Sequence, residues 1–290
     1  MNINEIINIL SCPVSNAELL FDEENNQLLS LDKNFSYKLK DGIPIIVSEI
    51  IDSRHKLNYI EHYRLDGELF DYFEKREKAS LEAELRLREY ILSLIPKRSE
   101  LILDLGSGSA WLAKQLGESK KVISLDLSFH NIKKALIEFP YKNHFGVVGD
   151  GYHLPFADKT FDCIVCSETI EHLEMPELLI EQAIKKVKKN GTIIISTPYK
   201  EKIKQYLCIH CNRLTPQNAH LHSFDEAKLQ SLIKQEVKSV KYFTFGNKFH
   251  TFLRFYILLR YFSFPLWKIV DSAFSLFINK KINLICKIEK

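Results

Sequence analysis

The sequence predicts an α/β protein, a doubly wound and mostly parallel sheet preceded by a small β-rich module, and three observations predict it. From residue 100 onward, strand-like apolar runs alternate with helix-like segments, the pattern of a parallel sheet covered on both faces. The first of those runs leads into "DLGSGSAW", residues 104–111, a glycine turn where open parallel sheets bind ligands. Residues 1 to 50 instead alternate short apolar runs with turn chemistry, ending in "YKLKDGIPIIV", where Asp41-Gly42 marks a tight turn before a strand at Ile43–Val47.

Three regions follow. Residues 1–50 form the β-rich module. Residues 51–98 form a helical linker or cap, with apolar residues at helical spacing (Leu81, Leu85, Tyr90, Ile91, Leu94) and a stop at Pro96. Residues 99–290 form the sheet domain. Its strands are "ELILDLG", "KVISLDL", "HFGVVGD", "FDCIVCS" and "TIIISTP", with helices such as "IKKALIEF" and "LLIEQAIKKVKK" between most of them. Two late strands, "SVKYFTFG" and "INLICKIE", bracket an aromatic helical insertion at 246–281.

At 290 residues and 46% hydrophobic content the chain can bury a full core. A net charge of +3, from 40 basic and 37 acidic side chains, supplies no strong field, which disfavours nucleic acid as a partner. Six cysteines, with Cys163 and Cys166 inside an apolar run, suit a reducing cytoplasm, and "MNINEIINIL" carries no signal-peptide pattern.

The glycine turn defines the ligand. A dinucleotide fingerprint asks for Gly or Ala at position 111, whereas this chain has Trp111. Asp104 at the strand end repels a pyrophosphate and favours a cation. Asp126 ends the next strand, 20 residues past Gly106, the distance at which an acid reaches ribose hydroxyls. Asp150 ends the third. Each alone is also a common helix cap; together they line one crevice suited to a cationic adenosine without phosphate.

S-adenosylmethionine fits that description, and the chain resembles the class I S-adenosylmethionine-dependent methyltransferases. "LDLGSGSAWLAKQL", "VISLDLS", "GDGYHLPFADKTFDCIVCSETIEHL" and "VKKNGTIIISTP" are similar to that family's motifs, in order, across residues 100–200. The resemblance implies a seven-stranded Rossmann-like sheet. It assigns Asp104, Gly106, Ser107 and Gly108 to the methionine portion, Asp126 with Leu127 to the ribose, Asp150 with Gly151 to the adenine, and Ser167 to the same pocket. The expected reaction moves a methyl group to a small-molecule, sugar- or lipid-linked acceptor, with oxygen as the favoured atom.

Candidates for acceptor chemistry follow the fourth strand in "SETIEHL": Glu168, Glu171 and His172. They form E-x-x-E-H, which is similar to the metal-binding motif of ubiquinone-type O-methyltransferases and small-RNA 2′-O-methyltransferases. There a later histidine joins, a role open to His220 or His222, and Mg²⁺ or Mn²⁺ is the implied ion. Acidic residues opening a helix are the plain alternative. A competing set, Cys208, Cys211, His220 and His222, has the ligand types of a structural zinc site, with His222 otherwise an active-site or helix-entry residue.

The opening "LSCPVSNAELL" with "FSYKLKDGIPIIV" resembles a small zinc-ribbon-like domain family that activates some methyltransferases. Only Cys12 of its usual four cysteines is present, so a degenerate packing module or a leftover brace is expected. The aromatic insertion carries interspersed cations and reads either as a cap or homodimer face, which is favoured, or as a peripheral membrane contact through 249–278. Rival readings of the whole chain are a dinucleotide-dependent oxidoreductase and a non-catalytic scaffold that keeps the fold.

Overall fold

The computed structural model describes residues 2–48, 55–74, 78–278 and 280–290. The expected module boundary at 50/51 lies outside the described residues. Four short strands open the chain: β1 (Leu19–Asp22), β2 (Gln27–Ser30), β3 (Ser36–Lys40) and β4 (Ile43–Ile46). Two helices follow, α1 (Tyr59–Leu69) and α2 (Lys78–Leu94). The alternating part runs β5 (Leu101–Leu105), α3 (Trp111–Leu116), β6 (Lys121–Asp126), α4 (Phe129–Glu138), β7 (His144–Gly149), β8 (Phe161–Ser167), α5 (Pro176–Lys186) and β9 (Val187–Pro198). A small hairpin, β10 (Gln205–Leu207) and β11 (Leu214–Pro216), precedes α6 (Glu226–Leu232). The chain closes with β12 (Ser239–Asn247), α7 (Lys248–Phe252), α8 (Tyr256–Leu259), α9 (Phe264–Phe277) and β13 (Lys281–Glu289).

The expected α/β sheet is present, and the opening module is part of it. The strand order is β1-β2-β3-β4-β7-β6-β5-β8-β9-β13-β12, eleven strands in one sheet. β5 to β9 are parallel and β13 runs antiparallel between β9 and β12. β1 to β4 form an antiparallel meander that joins the sheet by a parallel pairing of Ile45 and Ile46 with Val148 and Gly149. An otherwise open edge of β7 is thereby paired, which removes a row of free backbone groups.

Alternate residues of each parallel strand enter different cores. Leu103, Leu105, Ile164 and Cys166 pack with α5, with Phe224 and Leu229, and with the opening module through Ile6, Leu10 and Leu28. Ile102, Cys163, Val165 and Ile194 pack with α2, Trp111 and α9. The buried stripe of α2 is Leu87, Tyr90 and Ile91, while Leu81 and Leu85 face solvent, one correction to the expected face. A second concerns β9, which begins at Val187: the register jumps between Phe161↔Val187 and Cys163↔Thr192, so the strand carries an irregularity that apolar patterning does not reveal.

Phe156 ties the module to the sheet domain. It is fully buried, forms a bridge with Leu10, and meets the Phe161 ring edge-on at 4.9 Å. Phe156→Ala is expected to cost about 3–5 kcal/mol, and urea unfolding followed by circular dichroism should keep one transition at a lower midpoint. A separate early transition would show that the module folds apart from the sheet.

Candidate active site

The site lies where β5, β6, β7 and β8 end, four neighbours in the sheet. Gly106 (φ +72°) and Gly108 (φ +47°) give the turn after β5 its left-handed backbone. A Cβ at Gly106 would stand 2.6 Å from Thr169 Oγ1, so the turn after β5 lies directly against the turn after β8. The amides of Gly106 and Ser107 donate to the Leu125 carbonyl, which pins the loop to β6. Trp111, the first residue of α3, is buried, with the Arg88 guanidinium 5.4 Å over its ring.

The structure brings Asp104, Asp126 and Asp150 to adjacent strand ends, and none of them caps a helix. Asp104 is buried and its Oδ2 has no hydrogen-bond partner; burial, reinforced by the nearby Asp126 charge, pushes its carboxyl well above the usual range. Asp126 accepts the Gly108 and Ser128 amides at 2.9 Å each, while Ser128 itself caps α4. Burial raises the Asp126 carboxyl, against those two hydrogen bonds. Asp150 accepts the Tyr152 amide at 2.9 Å and the Tyr59 hydroxyl at 2.7 Å. Ser107 is buried with an unpartnered hydroxyl, Leu127 and Gly151 follow their aspartates, and Ser167 Oγ lies 3.0 Å from Ser196 Oγ.

The helical segment expected before Pro96 includes α1, and α1 with its flanks covers this crevice, a placement the pattern did not reveal. Asn58 caps α1 through the Glu61 amide, and Glu174 accepts the amides of Lys56 and Leu57, fixing where the helix starts. Tyr59 then reaches Asp150, the Tyr63 hydroxyl donates to the His172 carbonyl at 3.1 Å, and Tyr72 packs over Gly108. Tyr59, Tyr152 and His55 form a ring cluster with centroids 4.5 to 5.2 Å apart. The available signal was the tyrosine-rich "NYIEHYRLDGELFDYF", next to no local motif.

Beyond Thr169 the chain places Glu171, His172 and His220 together, their ligand atoms all within 4.8 Å of one another. Both Glu171 carboxylate oxygens and His172 Nδ1 are buried without hydrogen-bond partners. Burial and the nearby Glu168 push the Glu171 carboxyl well up; burial and the facing His220 push His172 down to about 4. The two imidazoles meet edge-on at 4.7 Å, and His220 Nδ1 is engaged by Glu201. The amides of Leu221 and His222 donate to the Glu171 carbonyl, which threads this distant segment beside the motif.

Glu168, in a left-handed conformation (φ +51°), stands apart from that group and accepts the Ser196 hydroxyl at 3.1 Å; burial pushes it up to about 7. His222 turns away toward the Glu174 carbonyl at 3.4 Å. The four-ligand zinc arrangement is not assembled. Cys208 and Cys211 sit on the exposed β10–β11 hairpin, His220 is taken by His172 and Glu201, and Glu171, His172 and His220 are the one metal-competent group among the described residues.

A family model described as a methyltransferase domain matches residues 48–236. The chain belongs to that methyltransferase family. A mitochondrial ubiquinone biosynthesis O-methyltransferase of Schizosaccharomyces pombe is 30% identical over 133 residues, 41% of this chain and 47% of that protein. A demethylmenaquinone methyltransferase of Desulfitobacterium hafniense is 29% identical over 126 residues, 40% of this chain and 50% of that protein, so this methyltransferase spans about half the length of these curated relatives. A UPF0434 protein of Yersinia enterocolitica is 33% identical over 57 residues, 95% of its length and 18% of this chain, which therefore belongs with the UPF0434 proteins over that stretch. Phosphoethanolamine N-methyltransferase 2 of Haemonchus contortus, solved with S-adenosyl-L-methionine, shares the fold at a TM-score of 0.51 and 15% identity, over 71% of this chain and 52% of that one.

Gly106→Ala places a side chain on a positive-φ residue against Thr169, a strain of about 1–3 kcal/mol. Calorimetric titration with S-adenosylhomocysteine should show affinity lowered by roughly five- to a hundredfold; unchanged affinity would mean that this turn is not the cofactor cradle.

Proposed function

We propose that this protein transfers the methyl group of S-adenosylmethionine to a hydroxyl oxygen of a small-molecule, sugar-linked or lipid-linked acceptor, beside a divalent cation held by Glu171, His172 and His220. The observation that carries the reading is Glu171: a carboxylate buried with both oxygens unpartnered, facing an unpartnered imidazole nitrogen and a second imidazole. A buried carboxylate in that state is costly unless a cation or a proton neutralises it, and the facing imidazoles favour a cation. One carboxylate and two imidazoles form a mixed oxygen and nitrogen donor set that suits Mn²⁺ or Mg²⁺. A cation there would lower the pKa of an acceptor hydroxyl.

The methyl donor fits the crevice by the same test. Asp104 offers a buried unpartnered oxygen to a cationic ligand, and Asp126, at the end of the next strand, holds the glycine turn through the Gly108 amide. S-adenosylmethionine supplies a sulfonium-activated methyl carbon. Asp104, Ser107 and Gly108 would hold its amino-acid portion, Asp126 with Leu127 the ribose, and Asp150 with Gly151 the adenine. Tyr59 and Tyr72 on the α1 side exclude water.

Glu168 is placed to receive the proton. Thr169 joins it to the glycine turn on one side, and Ser196 holds its carboxyl on the other. As the acceptor oxygen bonds to the methyl carbon and the carbon–sulfur bond breaks, the hydroxyl proton passes to Glu168, leaving neutral S-adenosylhomocysteine. Alignment of acceptor and methyl carries most of the remaining acceleration. The name of the fission-yeast relative supports oxygen as the acceptor atom.

Two outcomes test this. Because Glu168 is raised to about 7, its basic form grows as pH rises through that value, so methyl transfer should climb between about pH 6 and 8. Glu168→Gln should flatten that rise and lower kcat by roughly 10²–10⁴-fold; an unchanged profile removes Glu168 from the chemistry. Mn²⁺ binding followed by electron paramagnetic resonance should be lost in Glu171→Gln and His220→Ala, and chelation should remove activity that Mg²⁺ or Mn²⁺ restores. Full activity in chelator with no bound Mn²⁺ contradicts the cation.

A further inference from the structure

We propose that α7–α9 form a docking surface for an anionic lipid bilayer. The segment leaves the sheet at Asn247 and returns at Lys281, which pair with each other. Asn283 pairs with Pro198 at the end of β9, so the segment rises from the same carboxyl edge that carries the candidate site.

One side of the segment is anchored. Leu259 and Trp267 are buried against Leu87, Tyr90 and Ile91, and buried Arg86 donates to the carbonyls of Leu259 and Phe262 while paired with Glu82 and Glu89. The other side faces solvent. Phe252, Leu258, Tyr261, Ile269, Leu276 and Phe277 each expose between 60% and 88% of their surface. An apolar face of that extent marks an interaction surface. The crevice is covered from another direction, by Tyr59 and Tyr63 of α1 and by Tyr72 after it.

Charge selects the occupant. Lys248, Arg254, Arg260, Lys268 and Lys280 are exposed around these side chains, and none forms a salt bridge with a described residue. The segment's one acidic residue, Asp271, is buried and accepts the Gly246 amide. On α2, which packs against it, Glu82 and Glu89 are held by Arg86 and Glu84 by Arg88. Two copies meeting through this face would set cation against cation. Rings and aliphatic chains ringed by cations that pair with no described acid instead match the boundary of an anionic leaflet. No helix among the described residues is long and apolar enough to cross a membrane, and α9, with 14 residues, keeps its packed face. The surface therefore lies on the bilayer, which would bring a lipid-embedded acceptor to the site's edge; that consequence alone rests on the acceptor reading above.

The test is flotation of the full-length protein with vesicles, without methyl donor or acceptor, so that its failure is separable from failure of the acceptor reading. Binding to equimolar phosphatidylcholine–phosphatidylglycerol vesicles should exceed binding to phosphatidylcholine alone by at least roughly tenfold, and should weaken in about 0.5 M salt. The triple variant Ile269→Ser, Leu276→Ser, Phe277→Ser and the double variant Arg254→Glu, Arg260→Glu should each lose that binding while keeping the wild-type circular dichroism and melting temperature. Equal binding by both variants, or no preference for the anionic vesicles, overturns the proposal. So does a wild-type dimer in light scattering that the triple variant converts to monomer, since the face would then join two copies of this chain.

Discussion

Carboxylates withdrawn from water at one edge of a parallel sheet dictate the rest of this architecture. Asp104 and Glu171 are each about 1% exposed, and one Asp104 oxygen and both Glu171 oxygens have no hydrogen-bond partner. Removing a carboxylate from water costs several kcal/mol unless a cation or a proton compensates. Burial raises both carboxyls, so each calls for a proton or an opposite charge beside it. The proposed occupants are a sulfonium nucleoside on the Asp104 side and a metal ion on the Glu171 side, and Thr169 packed on Gly106 joins the two halves.

The neighbouring elements serve that edge. Strand order β7-β6-β5-β8 sets four loops side by side, each delivering one acidic residue or motif. Trp111, where a dinucleotide fingerprint asks for a small residue, instead packs into the core shared with α2 and α9. The opening meander pairs β4 with β7 and shares a core with the central strands, which makes it a continuation of the sheet. α1 lies over the crevice because Asn58 and Glu174 fix its first turn.

Legibility from sequence followed locality. The alternation of strands and helices, the glycine turn and the three strand-end aspartates sit within short windows, and the structure gathers them as the pattern implies. E-x-x-E-H was visible, yet its division was not. Glu171 and His172 face His220, while Glu168 turns to Ser196, because a left-handed residue at 168 and a 3₁₀ turn at Ile170–His172 separate their side chains. The choice of His220 over His222 depends on backbone bonds from the 221–222 segment to Glu171, some 50 residues earlier in the chain. Cys208 and Cys211 looked like metal ligands on composition; their hairpin holds them away from the histidines. The contacts made by the tyrosines of α1 and its flank were hidden for the same reason, since what a helix covers is settled by distant packing.

Anomalous diffraction from crystals grown with Mn²⁺ and S-adenosylhomocysteine addresses the central claim most directly. The account predicts a manganese peak within roughly 2.0–2.3 Å of a Glu171 oxygen and of one nitrogen each on His172 and His220, with the nucleoside along Asp104, Asp126 and Asp150. Electron density for the nucleoside elsewhere, or a metal peak at Cys208 and Cys211 with none beside Glu171, would contradict it.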